Sequence, residues 1–162
     1  MVLLGVAACG GSEKVPQPAV RPATAVTETR PRGVVEDCST RSEAAFPGAF
    51  TGADTVREFG GNKFPALVRA GHRVTVALPA DMRGLAGLGY GPLPQGVELS
   101  PEDGHRAVTF IACPLWASSG SVTFWSGAVL ARSPRCVPLA VWVDGEPAPR
   151  RVALRMGIRE CP

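Results

Sequence analysis

The chain is short of the residues that enzymes usually work with. Among 162 residues there are two histidines, His72 and His105, each following a glycine at a turn. A metal site shared between them needs a third ligand and a fold that brings them together, and their spacing supplies neither. No G-x-S-x-G occurs, so Ser118-Ser119-Gly120-Ser121 reads as a turn and not as a nucleophile elbow. Glu102 and Asp103 stand side by side before Gly104, a pattern that solvates a hairpin turn, and Asp54 and Glu58 have no evident partner. These scarcities point to a chain that is not an enzyme and uses no metal and no cofactor.

Charge of one sign is lacking too. The net charge is +3, and the stretch from Gly10 to Val35 contributes +2 of it through Lys14, Arg21, Arg30 and Arg32 against Glu13 and Glu28. The remainder is close to neutral, so no basic field exists to hold nucleic acid by counterion release. Fifteen of the seventeen basic residues are arginine, which together with abundant Gly, Ala, Val and Pro reads as the coding bias of a GC-rich genome. No stretch approaches the ~18 apolar residues of a membrane-spanning helix. No ten-residue run has helical spacing, and there is no internal repeat.

What is present begins at Val6-Ala7-Ala8-Cys9, followed by Gly10-Gly11-Ser12. This segment resembles a bacterial lipobox. The resemblance implies that a diacylglyceryl group, with palmitate-type chains, is attached to Cys9 and that residues 1–8 are cut away as a signal peptide. A leader of this kind has a positive n-region and an apolar stretch of roughly 7–15 residues. Residues 1–8 give only the short end of that range, so they read as a truncated signal peptide whose true start lies upstream of Met1. The expected location is extracytoplasmic, on a membrane surface, because two acyl chains anchor stably where one is marginal.

Residues 9–35 carry the anchor and a spacer with Pro16, Pro18, Pro22 and Pro31 and no apolar periodicity. A polyproline II path at ~3.1 Å per residue gives it a reach of up to ~80 Å. Residues 36–162 then read as one domain. Its first part, to Asn62, is rich in turns; strand patterns follow. Ala66–Ala70 and Arg73–Leu78 form a hairpin-like pair about Gly71, and Pro79 ends the second strand. A Gly-rich stretch holds Leu85, Leu88 and Tyr90 between its glycines. Val97–Leu99 and Arg106–Cys113 flank the turn 101–104, and Ser121–Leu130, Val137–Val143 and Arg151–Ile158 complete the set, the last two joined by Asp144-Gly145-Glu146-Pro147. About seven short strands separated by turns predict an all-β, Ig-like antiparallel β-sandwich.

Alternation assigns the faces. Val152, Leu154, Met156 and Ile158 point inward against Arg151, Arg155 and Arg159. Val137, Leu139, Val141 and Val143 do the same, as do Val122, Phe124, Ala128 and Leu130 on the preceding strand. If strands 121–130 and 137–143 form a hairpin about Ser133-Pro134, Trp125 stands opposite Trp142 on the face away from the core. Such a pair, with Trp116 in the preceding loop, is the one candidate ligand-binding surface, suited to stacking on sugar rings. Its alternative is burial under residues 84–91 or 36–60.

With Cys9 lipidated, Cys38, Cys113, Cys136 and Cys161 remain. They are too widely spaced for a zinc site and are expected to form two disulfides outside the cytoplasm. Strand 106–113 delivers Cys113 to one end of the domain, and strand 121–130 returns the chain to the other, where Cys136 starts its strand. At ~3.3 Å per residue these two cysteines lie about 30 Å apart, far beyond bridging distance. Cys136–Cys161 and Cys38–Cys113 are therefore the preferred pairs. The pairing Cys113–Cys136 requires a break at Gly127.

The stretches Thr55–Pro65, Val108–Cys113 and Pro134–Pro138 resemble small secreted or lipid-anchored actinobacterial proteins of unknown function. That resemblance covers most of residues 36–162 and implies no activity. The expected function is a lipid-anchored, monomeric, extracytoplasmic domain that binds or scaffolds at the cell envelope, with a cell-wall glycan or a surface protein as partner and no nucleic acid. The alternatives are a carbohydrate-binding module built on Trp125 and Trp142, and an accessory enzyme subunit or small hydrolase.

Overall fold

The computed structural model describes residues 28–41, 56–58, 60–94, 98–117 and 120–162. Among the described residues ten strands are present: β1 (Val34–Glu36), β2 (Gly61–Lys63), β3 (Ala66–Arg69), β4 (Arg73–Ala77), β5 (Ala86–Gly89), β6 (Ala107–Ile111), β7 (Val122–Trp125), β8 (Ala128–Ala131), β9 (Arg135–Val143) and β10 (Arg150–Met156). One sheet has the order β1-β6-β4-β9-β10. Facing it, β2 pairs with β8, β8 with β5, and β3 with β7. The two smaller sheets are one layer. Gly61 pairs with Leu130 and Arg69 with Val122 in a single unbroken register, and the Phe64 N–H donates to the Gly127 carbonyl at 2.8 Å across the gap. The ladder is interrupted at Pro65, which has no N–H to give. The fold is an all-β sandwich, as the strand pattern predicts.

The inner faces meet in a core centred on Phe110, Trp125, Leu88, Val129, Val137 and Met156, each under 2% exposed. Side chains of this size contribute roughly 1.5–3 kcal/mol each when fully buried. The Phe110 ring sits between Tyr90, edge-on at 5.0 Å, and Trp125 at 5.2 Å. Tyr90 donates its hydroxyl to the Phe64 carbonyl, and burial holds its pKa well above the ordinary tyrosine value. Gly127 marks where this ring passes: a Cβ there would lie 2.2 Å from Tyr90 Cδ1.

One long edge of the sandwich is stitched shut. Leu88 of β5 and His105, just before β6, exchange two backbone hydrogen bonds of 2.9 Å. Beside them Arg106 donates to the carbonyls of Leu78, Pro79 and Ala86. Burial and the nearby Arg83 guanidinium lower its pKa, yet a guanidinium stays charged at any ordinary pH. Gly87 and Gly104 allow the turn at 101–104 to lie directly on β5, since a Cβ on Gly87 would sit 2.4 Å from the Pro101 carbonyl oxygen. At the opposite edge, β10 and β2/β3 form no pair with each other among the described residues.

Several sequence expectations change here. Residues 66–78 are not a hairpin, because β3 and β4 belong to different layers and Gly71, at φ +76°, turns a corner between them. Residues 98–99 are not a strand, although the turn at 101–104 is present. The predicted 121–130 strand is divided into β7 and β8, and it does not pair with β9, which lies in the other layer. Its inward face is the reverse of the expected one. Thr123 and Trp125 are 2% and 1% exposed, whereas Val122 is 47% exposed. Hydrogen-bond partners explain the reversal: Thr123 Oγ1 accepts from the Cys113 N–H at 2.8 Å, and the Trp125 indole donates to the Asp37 carbonyl at 3.1 Å. Polar inward residues with such partners are as well buried as aliphatic ones. Val34 and Val35, placed in the spacer by composition, form β1, which runs parallel to β6 in a sandwich expected to be antiparallel throughout. The β9–β10 hairpin about Asp144–Pro147 is as expected.

Packing at Gly127 yields one test. Gly127→Ala forces the Tyr90 ring aside and lowers stability by about 1–3 kcal/mol, and Tyr90→Leu recovers part of that loss in the double variant, as read by urea unfolding midpoints. The turn at 100–103 yields another. Asp103 accepts from the Ser100 N–H and Oγ, both at 2.8 Å, and these bonds hold its carboxyl below the usual aspartate range. A folded-state pKa below the unfolded one gives stability that is complete above about pH 4 and lost as pH falls through the depressed value. The stability gap between wild type and Asp103→Asn is therefore constant from pH 5 to 7 and shrinks progressively below pH 4.

Candidate functional site

Each candidate residue of the sequence has a definite place, except Cys9, which lies outside the described residues. Cys38 bridges Cys113 with a Cα–Cα separation of 4.7 Å, and Cys136 bridges Cys161 at 5.5 Å. These are the preferred pairs. The first spans 75 residues and the second 25, so the loop-entropy relation gives about 4.5 and about 3.5 kcal/mol of stabilisation. Around the first bridge the chain forms a knot of backbone bonds. Asp37 caps the short 3-10 turn Cys38–Thr40 by accepting from the Ser39 N–H at 2.8 Å, and the hydroxyl and N–H of Ser39 hold the Asp37 carboxyl below its usual pKa. The carbonyl of the same Asp37 takes the Trp125 indole.

The tryptophans do not form the expected pair. Trp125 is 1% exposed in the core and Trp142 is 4% exposed on the outer face of the five-stranded sheet, opposite Thr75 of β4. With β7 and β8 in one layer and β9 in the other, the hairpin that would have set Trp125 opposite Trp142 does not exist, and the stacking platform is not there. Near Trp142 the segment 28–33 is fastened across this outer face: Glu28 pairs with Arg151, Arg30 pairs with Asp144 and also reaches the Val143 carbonyl at 3.3 Å, and Gly33 packs against Ala107. The small side chains of Ala77, Ala107 and Ala140 are buried there too. Trp116, in contrast, is 89% exposed beside exposed Leu115.

His72 and His105 stand at opposite ends of the antiparallel β4–β6 pair. His72 is exposed, as a turn residue should be. His105 is half-buried in the stitched edge, and its Nε2 has no partner among the described residues.

The site that the sequence reading missed is an apolar cleft of about 440 Å³ between the two layers, along their unstitched edge. Its floor is Phe110, Leu139 and Val141, its far wall is Leu88 and Val129, and its near wall is the Phe64–Val68 segment. Among the described residues Tyr90 contributes the only side-chain polar atom of the lining, and that hydroxyl is already bound to the Phe64 carbonyl. Leu67 of β3 and Val152 of β10 line it as well and are 60% and 45% exposed, which marks them as its lips. The volume falls within the roughly 300–1,000 Å³ of small-molecule sites. Apart from the Tyr90 hydroxyl, the described lining side chains are hydrocarbon, so the cleft desolvates apolar matter. Residue by residue, Val152 and Leu154 carried a signal, as inward-facing positions of an edge strand.

The burial pattern predicts the fluorescence of this protein. Iodide quenches only one of its three tryptophans, and Trp116→Phe removes the quenchable, red-shifted component while leaving a blue-shifted spectrum from Trp125 and Trp142.

A scan against protein-family models and searches of curated proteins and of solved structures return no match to this chain.

Proposed function

We propose that this chain is a lipid-anchored, extracytoplasmic domain that binds an apolar partner at the cell envelope and carries out no catalysis. The observation that supports it is the cysteine arrangement. Four of the five cysteines are joined in two disulfides, which form and persist in oxidising compartments. The fifth is Cys9, in the one setting that resembles a lipobox. The described residues include no helix long and apolar enough to cross a membrane, so attachment in this reading falls to the lipid.

The anchoring geometry is compatible with this role. The domain takes hold of the chain from Glu28 onward through the Arg151 and Asp144 pairs. In this reading the stretch between Cys9 and the first held residue, Glu28, is thus shorter than the spacer of residues 9–35 that composition suggests. A domain on such a tether works close to the bilayer it is fixed in. Binding by the cleft, and not by an aromatic platform, is the reading that the packing supports.

Feeding the native cell an alkyne-bearing palmitate labels the wild-type chain, and the label sediments with membranes. Cys9→Ser removes both the label and the sedimentation, while the two disulfides still form. An unlabelled wild-type chain, or label that survives Cys9→Ser, overturns the anchoring.

A further inference from the structure

We infer that the cleft between the two layers is a binding site for a single acyl chain of a lipid. This deepens the reading of the chain as a binding domain and does not depend on its own anchoring. The shape of the site comes from asymmetry in how the layers meet. Along the β5–β6 edge they are joined by the Leu88–His105 hydrogen bonds. Along the β3–β10 edge no such join exists among the described residues, and the cleft opens there, with Leu67 and Val152 in its lining.

The chemistry of the occupant follows from the lining. A sugar, nucleotide or peptide needs hydrogen-bond partners inside its site, since a buried polar group without one is costly. Here, among the described residues, the single hydroxyl is taken by the Phe64 carbonyl, and every other lining side chain is hydrocarbon. Only hydrocarbon enters such a space without losing hydrogen bonds to water. The volume sets its size: with about 30 Å³ for each water-sized group, 440 Å³ holds on the order of fifteen methylenes. That is the length of a common membrane acyl chain. The lips decide which end goes in. Leu67 and Val152 are apolar and exposed, so the tail inserts and the head group remains outside in water. The cleft is walled by two layers, which suits a slender chain better than a flat protein surface.

The test uses the full chain with Cys9→Ser, so that no lipid of its own is present, and a dansyl-labelled undecanoic acid as probe. Binding saturates at one probe per chain with a blue shift, and palmitate displaces the probe. Leu67→Glu and Val152→Glu, at exposed positions that leave the core intact, each weaken binding at least tenfold, while Trp116→Glu leaves it unchanged. Circular dichroism and the mass of both disulfides verify folding. Photolysis of a diazirine-bearing palmitate on the chain with native lips must label the cleft walls, which keeps the test independent of the variants. No saturable signal, equal affinity in the lip variants, or label outside the cleft refutes the inference. So does concentration-dependent dimerisation in sedimentation that Leu67→Glu abolishes, since a second copy would then fill the cleft. These outcomes leave the palmitate labelling of Cys9 untouched, so the anchoring and the acyl site fail separately.

Discussion

A sandwich needs its two sheets held at one separation, and in this chain the hydrogen bonds that do so are concentrated on one side. The Leu88–His105 exchange, with Arg106 donating to three carbonyls beside it, ties β5 to the strand that leads into β6. Facing sheets normally interdigitate at about 10 Å. Fixing one edge lets the layers close there, where Phe110, Leu88 and Ala86 are almost fully buried, and leaves their spacing along the β3–β10 edge to side-chain volume. On the far side the side chains are too few to fill the gap, and a cleft remains. Water-exposed hydrocarbon in that cleft is a standing cost, of the kind that natural proteins keep where a ligand removes it.

The Cys38–Cys113 bridge plays a complementary part at one end of the sandwich. It joins the residues after β1 to those after β6, and through the Asp37–Trp125 and Cys113–Thr123 hydrogen bonds the same junction reaches β7 in the other layer. One covalent and two polar contacts thus meet in a few residues. The second bridge closes a shorter loop and secures the end of the chain after β10 to the start of β9. Edge strands also invite pairing with other chains, and Arg151 and Arg155 on β10 and Pro65 beside β3 discourage it.

How much of this was legible in the sequence depends on what kind of contact carries each feature. The strand content, the turns at 101–104 and 144–147 and both disulfides follow from local spacing and the lengths of strands, which the sequence states directly. Layer membership does not. Whether the chain after Leu130 folds back as a hairpin or crosses to the other sheet is decided by packing of Trp142 and the alanines on the outer face, and hydrophobic alternation is the same for both outcomes. The reversed face of β7 was hidden for a different reason: Thr123 and Trp125 look like outward residues until Cys113 and Asp37 are seen to satisfy them. β1 was hidden by its surroundings, since two valines after a proline-rich stretch give too short a pattern to register as a strand.

The cleft was hidden for the deepest reason. Alternation reports which side of a strand turns toward a partner layer, and Val152, Leu154 and Met156 all answer alike. Yet Met156 is fully buried and Val152 is nearly half exposed on the same face of the same strand. The difference lies in what stands opposite, and that is a property of two sheets that no single strand records. An inward-facing aliphatic residue on an edge strand therefore has two meanings, core or binding site, and only the depth of cover distinguishes them. In this protein the cover thins toward the unstitched edge, so the same hydrocarbon that builds the core becomes, a few residues further along the strand, a surface that an apolar chain can complete.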